Sequence, residues 1–114
     1  MIRGSAIAGQ EIAALQFTNT GASPCLLAGY ASVTLLRGGE PLGDPSQPAS
    51  AATTSRVLQP GDVAESLLRN YTQNCQAPLS DAIHVVAPGM STSTERPMQL
   101  RACTLRVDPL GPPE

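Results

Sequence analysis

The sequence predicts an all-β fold, an antiparallel sandwich of about seven short strands. Three observations carry that expectation. Apolar and polar residues alternate with a period of two in several short runs. Gly, Pro, Asn and Asp punctuate the chain at intervals of roughly ten residues. No long run repeats apolar residues at the spacing of an amphipathic helix. With 114 residues there is room for one hydrophobic core, so residues 1–114 read as a single domain.

Glu11 to Asn19 is the clearest strand, with Ala13, Leu15 and Phe17 on one face and Ala14, Gln16 and Thr18 on the other. Asn19-Thr20-Gly21 ends it in a turn, where Gly can supply a positive φ without steric cost. Tyr30 to Arg37 is rich in β-branched and aliphatic residues and is bounded by Gly29 and Gly38-Gly39. Pro41 to Ser55 has almost nothing to bury, so it reads as a long surface loop or a weak edge element. Arg56-Val57-Leu58 leads through Gln59-Pro60-Gly61-Asp62 into an extended Val63 to Tyr71, a hairpin or a sheet-switching corner. Helix competes only over Asp62 to Arg69, where Pro-Gly before and Asn-Tyr-Thr after leave about two marginal turns. Ala82 to Ala87 sets Ile83, Val85 and Ala87 against His84 and Val86 before Pro88-Gly89 breaks it. Met98 to Asp108 aligns Cys103, Leu105 and Val107 against Thr104, Arg106 and Asp108. Short strands at this spacing point to an immunoglobulin-like antiparallel β-sandwich.

Composition narrows the partners. Apolar residues make up 41% of the chain but aromatic ones only 3%, so the core must be aliphatic and gains from a covalent staple. The net charge is −2, and the seven basic residues, all Arg, are scattered and form no stripe for a phosphate backbone, which excludes nucleic acid as a partner. The lack of Lys and the abundance of Ala, Gly and Pro suggest translation from a GC-rich genome. No apolar run approaches the roughly 20 residues that span a bilayer, and the start of the chain lacks the pattern of a signal peptide.

Cys25, Cys75 and Cys103 are the three cysteines, an odd number that leaves at least one unpaired or paired elsewhere. Their spacing and the single His do not supply the ligand pairs of a zinc site. Cys75 and Cys103 both sit at strand ends, and Cys103 lies on the apolar face of its strand, so a Cys75–Cys103 disulfide and an oxidising compartment are expected.

The run Phe17-Thr18-Asn19-Thr20-Gly21, then Pro24 to Tyr30, Val33, Leu35, Leu58-Gln59-Pro60-Gly61, Cys75 and Cys103 resembles the actinobacterial domain of unknown function 4232. The resemblance spans nearly the whole chain. It implies an exported or lipid-anchored envelope protein with an immunoglobulin-like fold, and it supplies no catalytic residues. Members commonly begin with a further Cys-bearing strand, which implies an upstream partner for Cys25. Met1 to Gln10 holds no Cys, so either such a strand precedes this chain or this member does without it. An N-terminal strand is then expected to be lacking, with the edge near Glu11 to Thr18 open and Cys25 exposed, and a homodimer is expected by edge pairing or a Cys25–Cys25 bond.

Candidate chemistry is sparse. His84 is the only side chain with an unperturbed pKa near neutrality. Ser80 shares its face while Asp81 points away, so no acyl-transfer triad is expected. A blue-copper site drawing on Met90, Met98 and Cys103 fails for want of a second His. Asp44, Asp62, Glu65 and Asp81 read as turn formers or solvated charges, and no calcium loop is present. The hydroxyl-rich tracts at residues 50–55 and 91–94 read as flexible loops, with O-linked sugar acceptors as the alternative. Asn70-Tyr71-Thr72 matches an N-glycosylation sequon by chance. A non-catalytic binding or structural module of the envelope follows, without metal or cofactor, its partner an envelope protein, a glycan or a lipid. The alternative is a ligand carrier or hydrolase built from loops around Asp81, His84 and Arg101.

Overall fold

A computed structural model of the chain describes residues 2–7, 10–50, 54–89 and 93–111. Eleven strands and no helix form among them: β1 (Ile2–Ile7), β2 (Gln10–Thr18), β3 (Cys25–Ala28), β4 (Ser32–Arg37), β5 (Glu40–Pro41), β6 (Gln47–Pro48), β7 (Ser55–Leu58), β8 (Val63–Tyr71), β9 (Ala82–Val86), β10 (Ser93–Pro97) and β11 (Thr104–Val107). The all-β sandwich expected from the alternation is the observed architecture. One layer has the order β1-β2-β8-β11-β6, the other the order β10-β9-β4-β5, and β3 with β7 forms a separate two-stranded ribbon. Every ladder is antiparallel except that of β6 with β11.

The core lies where the two apolar faces meet. Ala13 and Leu15 of β2, Leu68 of β8, and Leu105 and Val107 of β11 pack with Val33 and Leu35 of β4 and Ile83 and Val85 of β9. Each fully buried aliphatic side chain of this size contributes roughly 1.5–3 kcal/mol over the exposed state. A smaller cluster of Leu27, Leu58, Ala64 and Leu110 sits beyond it, and Phe17 touches both. The helix considered over Asp62 to Arg69 does not form. Val63–Tyr71 is strand throughout, because Ala64, Ser66, Leu68 and Asn70 bury one face at period two while β2 and β11 take up the backbone groups on either side.

Eleven strand segments replace the expected seven, and the additions are informative. β10 is exposed along its whole length and β3 buries only Leu27, so neither carries the apolar alternation that marks a strand in sequence. Ladder hydrogen bonds to β9 and β7 hold them. The segment read as loop from Pro41 to Ser55 steps between layers: Leu42 and Ser46 donate to Leu35 and Val33 of β4, and Ala49 donates to Val107 of β11. Its residues 51–53 lie outside the described residues, as do residues 91–92 of the second hydroxyl-rich tract and Met90 before them; Ser93 and Thr94 belong to β10. The expected strand from Met98 to Asp108 shortens to Thr104–Val107, since Cys103 is tied to Cys75 and Arg101 is drawn aside into a bridge with Leu79.

After β11 the chain keeps to the edge of β8. Asp108 donates its amide to Leu67, and Glu65 and Gly111 exchange both backbone hydrogen bonds. On the outer face the Arg69 guanidinium meets Asp108, with Nε 3.1 Å from both carboxylate oxygens and Nη2 3.0 Å from Oδ2. The hydrogen bond to Asp108 raises Arg69 above its ordinary pKa.

Candidate functional site

Two turn motifs separated by forty residues of chain form one hydrogen-bonded knot at the end of the sandwich. Asn19, only 9% exposed, receives Gly21 N on Oδ1 at 2.9 Å and donates Nδ2 to the carbonyls of Ser23 and Leu58, both at 2.8 Å. Its backbone amide donates to Asp62, and its carbonyl accepts from Gly61. Asp62 caps the same turn by receiving the Gln59 amide on Oδ2. Gly61 has a φ of +89°, which a residue with a Cβ adopts only under strain. Gly21 corrects the expectation of a left-handed turn residue. Its φ is not positive, and its lack of a Cβ matters because one would stand 3.3 Å from Asn19 Oδ1.

This knot borders a groove of about 640 Å³ on one side of the sandwich. Leu15 and Phe17 of β2, Leu27 of β3, Leu58 of β7, and Val85 and Ala87 from β9 and its end make an apolar floor. One wall is the chain from Gln16 to Gly21, and the other is Thr94 and Arg96 of β10. Among the described residues β1 pairs with β2 from Gln10 to Leu15, and β2 runs beside β8 to Thr18. The groove lies between this end of β2 and β10, the edge strand of the other layer.

Cys25 opens into this groove, half-buried beside Leu58 on the neighbouring strand and packed against the smaller apolar cluster, and its thiol is free. The expectation of an open β2 edge is corrected over Gln10–Leu15: residues read as lacking a strand form β1 and cover it. Only the stretch after Leu15 on that side is without a ladder partner among the described residues.

At the opposite end, Cys75 and Cys103 are bonded, with Cα atoms 6.2 Å apart. The residues weighed for chemistry there have separate structural partners. Ser80 is buried, donating Oγ to the Met98 carbonyl and accepting the Leu100 amide, so its hydroxyl is committed to holding the loop before Cys103. Asp81 receives the Gly38 amide on Oδ2 and closes the β4–β5 turn. Arg101 donates Nη1 to Ala77 O, and its amide donates to Glu11 Oε1. His84 lies on the outward face of β9, opposite Thr34 of β4 and Glu95 of β10. No hydrogen bond or ion pair among the described residues joins Asp81, His84 and Arg101 to one another. Asn70, the acceptor of the apparent sequon, is fully buried and donates Nδ2 to Glu11 and to Arg101 O, so the folded chain offers it to no transferase. Nothing in sequence joined the groove residues Thr94, Arg96 and Ala87: Ala87 read only as the apolar end of a strand and Thr94 only as part of a hydroxyl-rich loop, β10 lacks an apolar face, and a cavity belongs to segments far apart in the chain.

Residues 2–110 match the family model described as Domain of unknown function (DUF4232). No curated protein and no solved structure matches the chain.

Proposed function

The chain belongs to the domain of unknown function 4232 family, and from that premise we propose that it is a non-catalytic binding module of an exported bacterial envelope protein, with the groove as its binding site. The observation that carries this reading is the groove itself, whose volume falls within the roughly 300–1,000 Å³ of ligand sites and whose floor is apolar with a few polar groups on its walls. The walls are set by ladders and by the Asn19 knot, so the site is largely formed before a ligand arrives. The Cys75–Cys103 bond supports an oxidising compartment, and no helix of the described residues is long and apolar enough to cross a membrane. Its partner is an envelope protein, a glycan or a lipid.

The test combines a thermal-shift screen of peptides, oligosaccharides and fatty acids with alkylation of Cys25 by iodoacetamide. One class should raise Tm and slow alkylation over the same concentration range, since ligand at about 100 times its Kd stabilises by about 2.7 kcal/mol. Thr94→Trp, which places a bulky ring on the exposed wall, should abolish both effects. A ligand that raises Tm without slowing alkylation would place the site elsewhere, and no stabilising class at all would favour a purely structural module.

A further inference from the structure

We propose that the groove takes an unbranched fatty acid, with its carboxylate on Arg96 and its alkyl chain laid along the apolar floor toward Cys25. This rests on the groove being the binding site and names its ligand.

The first support is the lining. Phe17 is the one aromatic ring among the described residues of the groove, and the rest of the floor is aliphatic. The two side-chain amides on the wall are engaged elsewhere. Gln16 donates Nε2 to Glu65 Oε2 at 2.9 Å, and Asn19 uses both ends of its amide in the knot. A sugar or a peptide carries a polar group at every unit and needs a partner for each once water is displaced. An alkyl chain needs none and gains from every methylene it buries.

The second support is charge. Arg96 is the one charged side chain among the described residues that line the groove. Thr94 and Arg96 pair with Val85 and Ile83, whose side chains point into the core, so both stand on the groove side of β10, while Glu95 pairs with His84 on the outer face. Among the described residues the Arg96 guanidinium makes a single hydrogen bond, to the neighbouring Glu95 carbonyl at 3.0 Å, and no ion pair. A planar guanidinium with free donors at the rim of an apolar site selects a carboxylate.

The third support is the placement of the two along the groove. Arg96 stands beside Ile83, and the floor continues past Val85 to Ala87, about 13 Å further on at the rise of a strand. Ala87 and the free Cys25 both pack there against the cluster that holds Leu27. The charge therefore stands at one end and the apolar lining runs away from it, which is the layout of a single-chain amphiphile with one anionic head. Cys25 marks the far end, where the tail stops.

The experiment uses the whole chain with octanoate, decanoate and octanol, the last a neutral counterpart of equal chain length. Affinity is read by calorimetry, and position by the rate of Cys25 alkylation with iodoacetamide. Decanoate should bind about tenfold more tightly than octanoate, from two more buried methylenes, and should slow alkylation more at equal occupancy because its tail reaches further. Octanol should bind about fivefold more weakly than octanoate at low salt. Arg96→Gln should remove that difference and Arg96→Lys should keep most of it; should Arg96→Gln fail to fold, the octanoate-to-octanol ratio of the unaltered chain decides. Equal affinity for octanoate and octanol, or a preference that survives Arg96→Gln, would overturn the proposal. So would a peptide or an oligosaccharide that slows alkylation when no fatty acid does, which leaves the groove standing as the site. Decanoate that binds without slowing alkylation would overturn both the ligand and the groove as its site.

Discussion

Replacing Asn19 by Ala removes three hydrogen bonds at once from a side chain that is almost wholly buried. Each is worth about 0.5–1.5 kcal/mol net, and the buried Leu58 carbonyl loses a partner that water is poorly placed to replace. The expected loss is about 2–4 kcal/mol, against a total of about 5–15 kcal/mol for a domain of ordinary stability. Asn19→Asp sharpens the reasoning, because it keeps the acceptor for Gly21 but turns an anion toward the carbonyls of Ser23 and Leu58. That Asp should titrate above its ordinary range, since both burial and facing acceptors favour its neutral form, which can donate. The sign follows from a folded pKa raised above the unfolded one: the protonated form's stabilisation is complete below the unfolded pKa of about 3.9 and is lost as pH rises through the folded pKa. Relative to wild type, Asn19→Asp should therefore be least stable near neutral pH and recover toward acid. Urea unfolding at several pH values reads both variants. A loss under about 1 kcal/mol for Asn19→Ala, or an Asn19→Asp deficit that does not shrink toward acid, would refute the assignment of Asn19 as the tie between the two turns.

Other outcomes follow from the same contacts. Reducing the Cys75–Cys103 bond, which spans 28 residues of sequence, should cost roughly 3–4 kcal/mol on the loop-closure account, read as a lower urea midpoint in reductant. Gly61→Ala should cost about 1–2 kcal/mol because φ is +89° there, and a change within 0.5 kcal/mol would argue that the turn relaxes easily. Ser80→Ala should lower the unfolding midpoint by the equivalent of about 1–3 kcal/mol, through the unpaired Leu100 amide, while leaving ligand binding at the groove intact. Arg69→Ala, at a partly exposed ion pair, should cost no more than about 1 kcal/mol, with the deficit shrinking in high salt.

The strands that bury one face were legible because alternation is local: Ala13, Leu15 and Phe17 announce β2, and Ile83 and Val85 announce β9, without knowledge of anything else in the chain. The Cys75–Cys103 pairing was legible for a similar reason, since both ends could be placed at strand termini. The family resemblance also rested on motifs readable in order, and two of them, Asn19-Thr20-Gly21 and Gln59-Pro60-Gly61, turn out to be two halves of one knot. Sequence alone marked each as a turn; only the fold showed that they bond to each other. β1, β3 and β10 escaped because edge and ribbon strands owe their form to ladder bonds with neighbours, which no local pattern encodes. Ser80 and Asn70 were weighed in sequence as part of a triad and as a sugar acceptor and set aside, and only the fold showed what they do instead, since burial with hydrogen bonds to distant segments makes both structural. The groove belongs wholly to the tertiary level. It is walled by residues from five strands, and its size and polarity depend on how the two layers stack.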